Sequence, residues 1–263
     1  MQLHYDVHEG AGEPLLLLHG FLSSRAQWLE NIPVLKSFCS PVTVELWGHG
    51  RSPMPEDDAL LHPMAYVDQF ERIRREIGAQ RWYVAGHSFG AGLTLRYALN
   101  HADVVFGQAF CNSSSALELA GGRKVSERGR TIGEMLHAGC RLEELPVHPV
   151  NAKRIPQAVK NELIADAQFL QAASLLRSFT VTRPLLSVRD DFYQLRVPTL
   201  LVNGVWEKGF QLSATFAKAS LPSLAEVQLQ GGHAINAEQA DGFNTALRDH
   251  FLSCMSAGPG NPR

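Results

Sequence analysis

No apolar run in this chain approaches the roughly 20 residues that a helix needs to span a bilayer, so no membrane-crossing helix is expected. A surplus of charge is missing too. Lys and Arg number 24 against 26 Asp and Glu, a net charge of −2. Without a basic excess there is no expectation of a nucleic-acid partner, and without an acidic excess none of a solvating tail. Cysteine is sparse: Cys39, Cys111, Cys140 and Cys254 form no CxxC pair and no Cys/His cluster with zinc spacing. Free thiols are therefore expected, and neither a disulfide framework nor a metal site. There is no internal repeat and no low-complexity segment. The opening "MQLHYDVHEG" lacks the charged-then-apolar layout of a signal peptide. The expectation is a cytoplasmic protein, with monomer and homodimer both left open.

What the chain does have is rhythm. Its 263 residues can bury a substantial core. Short Val/Leu-rich runs, "PLLLLHG", "SPVTVELWG", "RWYVAG", "VVFGQAFCN", "VPTLLVNG" and "AEVQLQGG", read as buried strands. Helical patterns separate them. "YVDQFERIRREIGA" places Val67, Phe70, Ile73 and Ile77 at helical spacing, with Gly78 as a stop. This alternation predicts a mostly parallel sheet in an α/β fold, doubly wound with helices on both faces. A first hairpin around "LHYDVHEGAGEP" would add an antiparallel edge. From about 113 to 189 the rhythm breaks into helical patterns without a strand signal. The expected organisation is a core from residues 1–112 and 190–256, a helical insertion at 113–189 and a disordered Gly/Pro-rich tail at 257–263.

Chemistry concentrates at strand ends. In "GHSFG", Ser88 stands at the corner between a strand and a helix, flanked two residues away by Gly86 and Gly90. Small residues there let the chain turn tightly, and the helix N-terminus stabilises negative charge beside the serine. A serine is a poor nucleophile until a base takes its proton. His233, in "GGHAIN" after the last strand, is the candidate base. His87, by contrast, is expected to point elsewhere, and His19 and His49 to shape loops. Glu207, in "NGVWEKGF", is the first carboxylate after the penultimate strand and the candidate acid. The backbone N–H groups of Phe89 and Phe21 are candidate oxyanion donors.

Taken together and in this order, "HGF", "ELWGHGRS", "GHSFG", "NGVWEKGF" and "GGHAIN" resemble the α/β-hydrolase superfamily over nearly the whole chain. The nearest flavour is its small serine esterase and C–C-bond hydrolase branch. The resemblance implies that the insertion is a lid, or cap, set before the penultimate strand, and it implies no cofactor. Two positions depart from the family pattern, with Glu207 and Glu45 standing where Asp is usual. Another family option puts the acid after "VVFGQAF", where Cys111 and Asn112 offer no carboxylate.

The leading expectation is a carboxylesterase-type enzyme (EC 3.1.1) acting on a small ester or thioester. C–C cleavage, acyl transfer, lyase chemistry and a non-catalytic receptor are the alternatives. Met135, Leu136 and Leu175, with Leu176 and Phe179, are candidate pocket residues or packing between cap helices. Arg123, Arg128 and Arg130 are candidates to meet a substrate carboxylate, or a solvated helix face.

Overall fold

The computed structural model describes residues 1–119 and 127–256. The strands are β1 (Tyr5–Val7), β2 (Pro14–Leu18), β3 (Ser40–Val44), β4 (Trp82–His87), β5 (Val105–Cys111), β6 (Thr199–Gly204) and β7 (Ala225–Leu229). They form one sheet in the order β1-β3-β2-β4-β5-β6-β7. Every neighbouring pair is parallel except β1 with β3. The antiparallel edge is thus present, but it is not a hairpin. Tyr5 pairs with Val44 and Val7 with Val42, so β1 lies beside β3 and the turn at "HEGAGE" carries the chain past it to β2. Gly10 and Gly12 pack so closely on the Lys36–Cys39 backbone that a Cβ at either would collide with a carbonyl oxygen. That contact directs the crossing.

Helices cover both faces. They are α1 (Ile32–Leu35), α2 (Pro63–Glu76), α3 (Phe89–Asn100), α4 (Glu127–His137), α5 (Gln157–Ala167), α6 (Ala172–Arg177), α7 (Gln211–Ser220), α8 (Ile235–Glu238) and α9 (Ala240–Ser256). Side chains alternate across a strand, so each strand feeds two cores. Leu16, Leu18, Val84, Phe110 and Leu201 meet Phe70 and Ile73 of α2, Leu93 and Leu95 of α3, and Ala217 of α7. Leu15, Leu17, Tyr83, Ala85, Leu200 and Val202 meet Leu35 of α1 and Phe243, Leu247 and Phe251 of α9. The Val67, Phe70 and Ile73 stripe of α2 is fully buried. His62 caps this helix by accepting from the Met64 N–H, Pro63 fits its first position, and Gly78 ends it at φ 72°.

Between β5 and β6 the described residues contain helices and turns but no strand. The helices α4 and α6 share a third apolar cluster. Leu22, Ile132, Leu136, Leu145, Leu170 and Leu175 are buried there, with Phe21, Met135, Leu176 and Phe179 packed against it. The expected tail at 257–263, Arg123 and the side chain of Arg128 lie outside the described residues. All four cysteines are free, Cys39 and Cys111 being buried. No helix among the described residues is long and apolar enough to cross a membrane.

Candidate active site

The carboxyl ends of five adjacent strands converge. Ser88 follows β4, Phe21 follows β2, Asn112 follows β5, Glu207 follows β6 and His233 follows β7. Open parallel sheets bind ligands at this edge. Ser88 sits at φ 52°, ψ −113°, outside the regions that an L-residue favours. Its glycines explain how the turn is tolerated. A Cβ on Gly86 would lie 2.5 Å from the Gly90 carbonyl oxygen, and one on Gly90 would lie 2.6 Å from that of His19. Gly20 packs against the serine itself, where a Cβ would fall 3.2 Å from Ser88 Cβ. The loop after β2 is thereby brought against the nucleophile candidate.

The three side chains are hydrogen-bonded in series. His233 Nδ1 lies 2.8 Å from Glu207 Oε1, and His233 Nε2 lies 3.0 Å from Ser88 Oγ. An ionised carboxylate can only accept, so Nδ1 carries the hydrogen and Nε2 is left to accept from the serine hydroxyl. Burial alone would raise the Glu207 pKa. The His233 charge, its hydrogen bond and a bond from Asn112 outweigh that and hold it below the ordinary value of 4.5. Glu207 therefore stays ionised at neutral pH. The longer glutamate reaches the ring without strain in any neighbouring φ: Val205, Trp206 and Glu207 all have negative φ.

Several partners of this trio carried no sequence signal. Asn112 donates from Nδ2 to Glu207 Oε2 at 2.6 Å, and its amide also bonds the Gly204 N–H and carbonyl. The position after β5 offers no carboxylate of its own, and its side chain holds the Glu207 carboxylate instead. His87, next to Ser88 in the chain, is part of the site's frame: its Nε2 donates to the His233 carbonyl oxygen at 2.7 Å. Glu238 accepts from the Gly232 and Ala234 N–H groups on either side of His233. Beneath lies a buried amide network. Gln27 Oε1 accepts from Gly20 N–H, Gln27 Nε2 donates to Asn236, and Asn31 donates to Asn236 and Asn244. Buried amides look like surface residues in a sequence; only their mutual positions reveal them.

Phe89 N–H is the first of α3 and has no intrahelical acceptor. Phe21 N–H finds no acceptor among the described residues. The Phe21 ring stacks on Phe89 with centroids 6.1 Å apart and meets Phe179 at 5.8 Å. His19 and His49 do shape loops. His19 bonds Gly20 carbonyl and Leu46 N–H, and His49 accepts from Leu22 N–H. Burial keeps both neutral, at about 3 and about 4. Glu45 is buried and accepts from Arg51 N–H at 2.7 Å, a structural contact.

The pocket residues divide. Leu136 and Leu175 are 2% and 0% exposed within the third apolar cluster, so in this structure they pack helices together and present no surface to a ligand. Met135 and Phe179 keep part of their surface. Arg130 is exposed and lies 4.0 Å from Glu134, its neighbour one turn on along α4. The His233 side chain is 51% exposed, so the site opens to solvent. Two cavities lie elsewhere. One of about 870 Å³ is lined by residues including Arg96, Asp191 and Tyr193, and one of about 470 Å³ by residues including Met54, Phe169 and Ser174. Neither touches Ser88, His233 or Glu207.

Compared with known families, residues 15–246 match the model of the alpha/beta hydrolase family. The chain belongs to that family. Among its relatives, RutD of Enterobacter cloacae subsp. cloacae, a carbamate hydrolase by name, is 25% identical over 260 residues, covering 93% of each chain. A fluoroacetate dehalogenase of Burkholderia is 33% identical over 103 residues, covering 38% of this chain and 34% of that enzyme, about a third of its length. The solved structure of MenH from S. aureus superposes with a TM-score of 0.82 at 18% identity, covering 96% of this hydrolase and 99% of MenH. At that identity the likeness speaks for the fold alone.

Proposed function

We propose that this hydrolase cleaves small carboxylic esters or thioesters through an acyl-enzyme, a carboxylesterase-type reaction. The supporting observation is the unbroken series Glu207–His233–Ser88, with bonds of 2.8 and 3.0 Å. His233 Nε2 takes the Ser88 hydroxyl proton as Oγ attacks the acyl carbon. The carbonyl oxygen becomes an oxyanion and accepts from the Phe21 and Phe89 N–H groups, beside the positive end of α3. Glu207 steadies the imidazolium. Collapse expels the alcohol or thiol, which receives the proton from His233 and leaves the acyl group on Ser88. Water then attacks the acyl carbon, giving its proton to His233, and the acid departs as Ser88 regains its proton. Each step uses groups of the chain and water.

Residues 113–189 would act as a cap over this edge, with Phe21, Phe179 and Met135 giving an apolar wall for the substrate. A carbamate presents the same acyl carbon, so the activity named for RutD is a second member of this reaction class. The test is a panel of p-nitrophenyl esters of rising acyl length, with a thioester, a carbamate and a vinylogous diketone alongside. Ester or thioester turnover that disappears in Ser88→Ala, by up to about 10⁶ in kcat, supports the reading. Full activity in folded Ser88→Ala refutes it.

A further inference from the structure

We propose that His87 is a positioning residue for this reaction, its ring locking the His233 loop, the Ser88 turn and the Gly20–Phe21 loop into one frame. The inference rests on the serine reading above. His87 ends β4, one residue before Ser88, and is 4% exposed. Its Nε2 lies 2.7 Å from the carbonyl oxygen of His233 itself. A carbonyl can only accept, so Nε2 carries the hydrogen. On the other side of the ring, a Cβ on Gly20 would fall 2.8 Å from Nδ1. Nδ1 has no partner among the described residues. One ring therefore touches the loops that carry the base and an oxyanion donor, while its backbone carries the nucleophile turn.

Neutrality is part of the device. The His87 and His233 ring centroids are 4.7 Å apart, and His233 becomes an imidazolium during the reaction. A second cation there would oppose it. Burial first, then the His233 charge, pushes the His87 pKa down to about 3, against the opposing pull of its bond to His233 and of Glu207; His19 is the other histidine near enough to interact with it, and burial keeps that ring neutral too. His87 thus supplies a donor and bulk without charge. Its bond fixes the backbone of the very residue whose ring must face both Glu207 and Ser88. Losing it lets that ring drift, which weakens proton transfer more than substrate binding.

The experiment compares wild type, His87→Leu, His87→Gln and Ser88→Ala, with p-nitrophenyl acetate as substrate and a fluorophosphonate as Ser88 label, and with thermal melting as a fold control. His87→Leu should lower kcat and the labelling rate about 10- to 100-fold with KM nearly unchanged. His87→Gln keeps an N–H donor and should recover most of that loss. Ring-nitrogen NMR of the wild-type protein, which needs no variant to fold, should find His87 neutral and protonated at Nε2 from about pH 5 to 9. Wild-type kcat in folded His87→Leu, an equal loss in the Gln variant, or a His87 protonated at Nδ1 would each overturn the proposal. Activity persisting in Ser88→Ala would fall on the serine reading, and the NMR tautomer would still decide His87.

Discussion

At Ser88, a backbone at φ 52° costs an L-residue on the order of 1–3 kcal/mol, and the close glycine contacts around it are what hold it there. The same stretch was legible in the sequence because glycine spacing records backbone shape directly. Side-chain partnership is not recorded that way. Nothing in "CNSS" marks Asn112 as the donor to Glu207, since the two lie 95 residues apart in the chain. Asn112→Gly should test this amide, removing its bonds to Glu207 and Gly204 together, because glycine accepts the native φ of 43°. Removing a hydrogen bond to a charged group costs roughly 1.5–3 kcal/mol, which corresponds to about 10- to 150-fold in kcat. Losing that donor also lets the Glu207 pKa rise, so the deficit should deepen as the assay pH falls from 7 toward 5. A pH-independent deficit would mean that Asn112 acts only through its bonds to Gly204. Glu207→Gln removes the charge itself, and kcat should fall about 10⁴-fold. Glu207→Asp keeps the charge at shorter reach and should fall between the two; a Gln variant equal to wild type would place the acid elsewhere.

At the scale of elements, the periodic pattern of α2 was readable because burial on one face leaves a 3.6-residue signature, whereas its polar anchoring was not. Glu71 sits between helices. Arg74 bonds both of its oxygens at 2.6 and 3.0 Å, Arg75 reaches it at 2.9 Å, and Tyr97 of α3 donates to it at 2.9 Å. Tyr97 in turn accepts from Trp82 of β4, so one carboxylate ties α2 to α3 and the sheet. The Arg74 bond leads in drawing the Glu71 pKa from 4.5 to about 2. A depressed carboxylate contributes stability that is complete above its unfolded value and is lost as pH falls through the folded one. Glu71→Gln should therefore lower stability by roughly 2 kcal/mol at pH 7. In urea titrations the gap should stay constant down to about pH 4.5 and close toward pH 2. A gap that widens on acidification would show that the stabilising form is the protonated one.

Over the whole molecule, what the sequence carried was the order of strands and helices and the residues at strand ends; what it did not carry was which strand neighbours which at the edge, and where the inserted helices bury their apolar side chains. Short β1 has too few residues to encode its partner, and the close packing of Gly10 and Gly12 on the α1–β3 turn decides it. Leu136 and Leu175 are apolar at helical spacing whether they face a ligand or one another. The structure puts them into a cluster separate from the two cores of the sheet, joined to the loop after β2 through Phe21 and Leu22. Separate cores open separately when little apolar surface bridges them. Amides of α4 and α6 should then exchange hydrogen faster than those of β4 and β5 in the native protein. Leu175→Ala removes a fully buried side chain and should cost about 2–5 kcal/mol, felt inside that cluster. Protection should fall in α4 and α6 while β4 and β5 keep theirs, and ester turnover should fall because the opened state releases the Phe21 loop. An equal loss of protection in β4, β5, α4 and α6 would mean that the inserted helices and the sheet unfold as one cooperative unit.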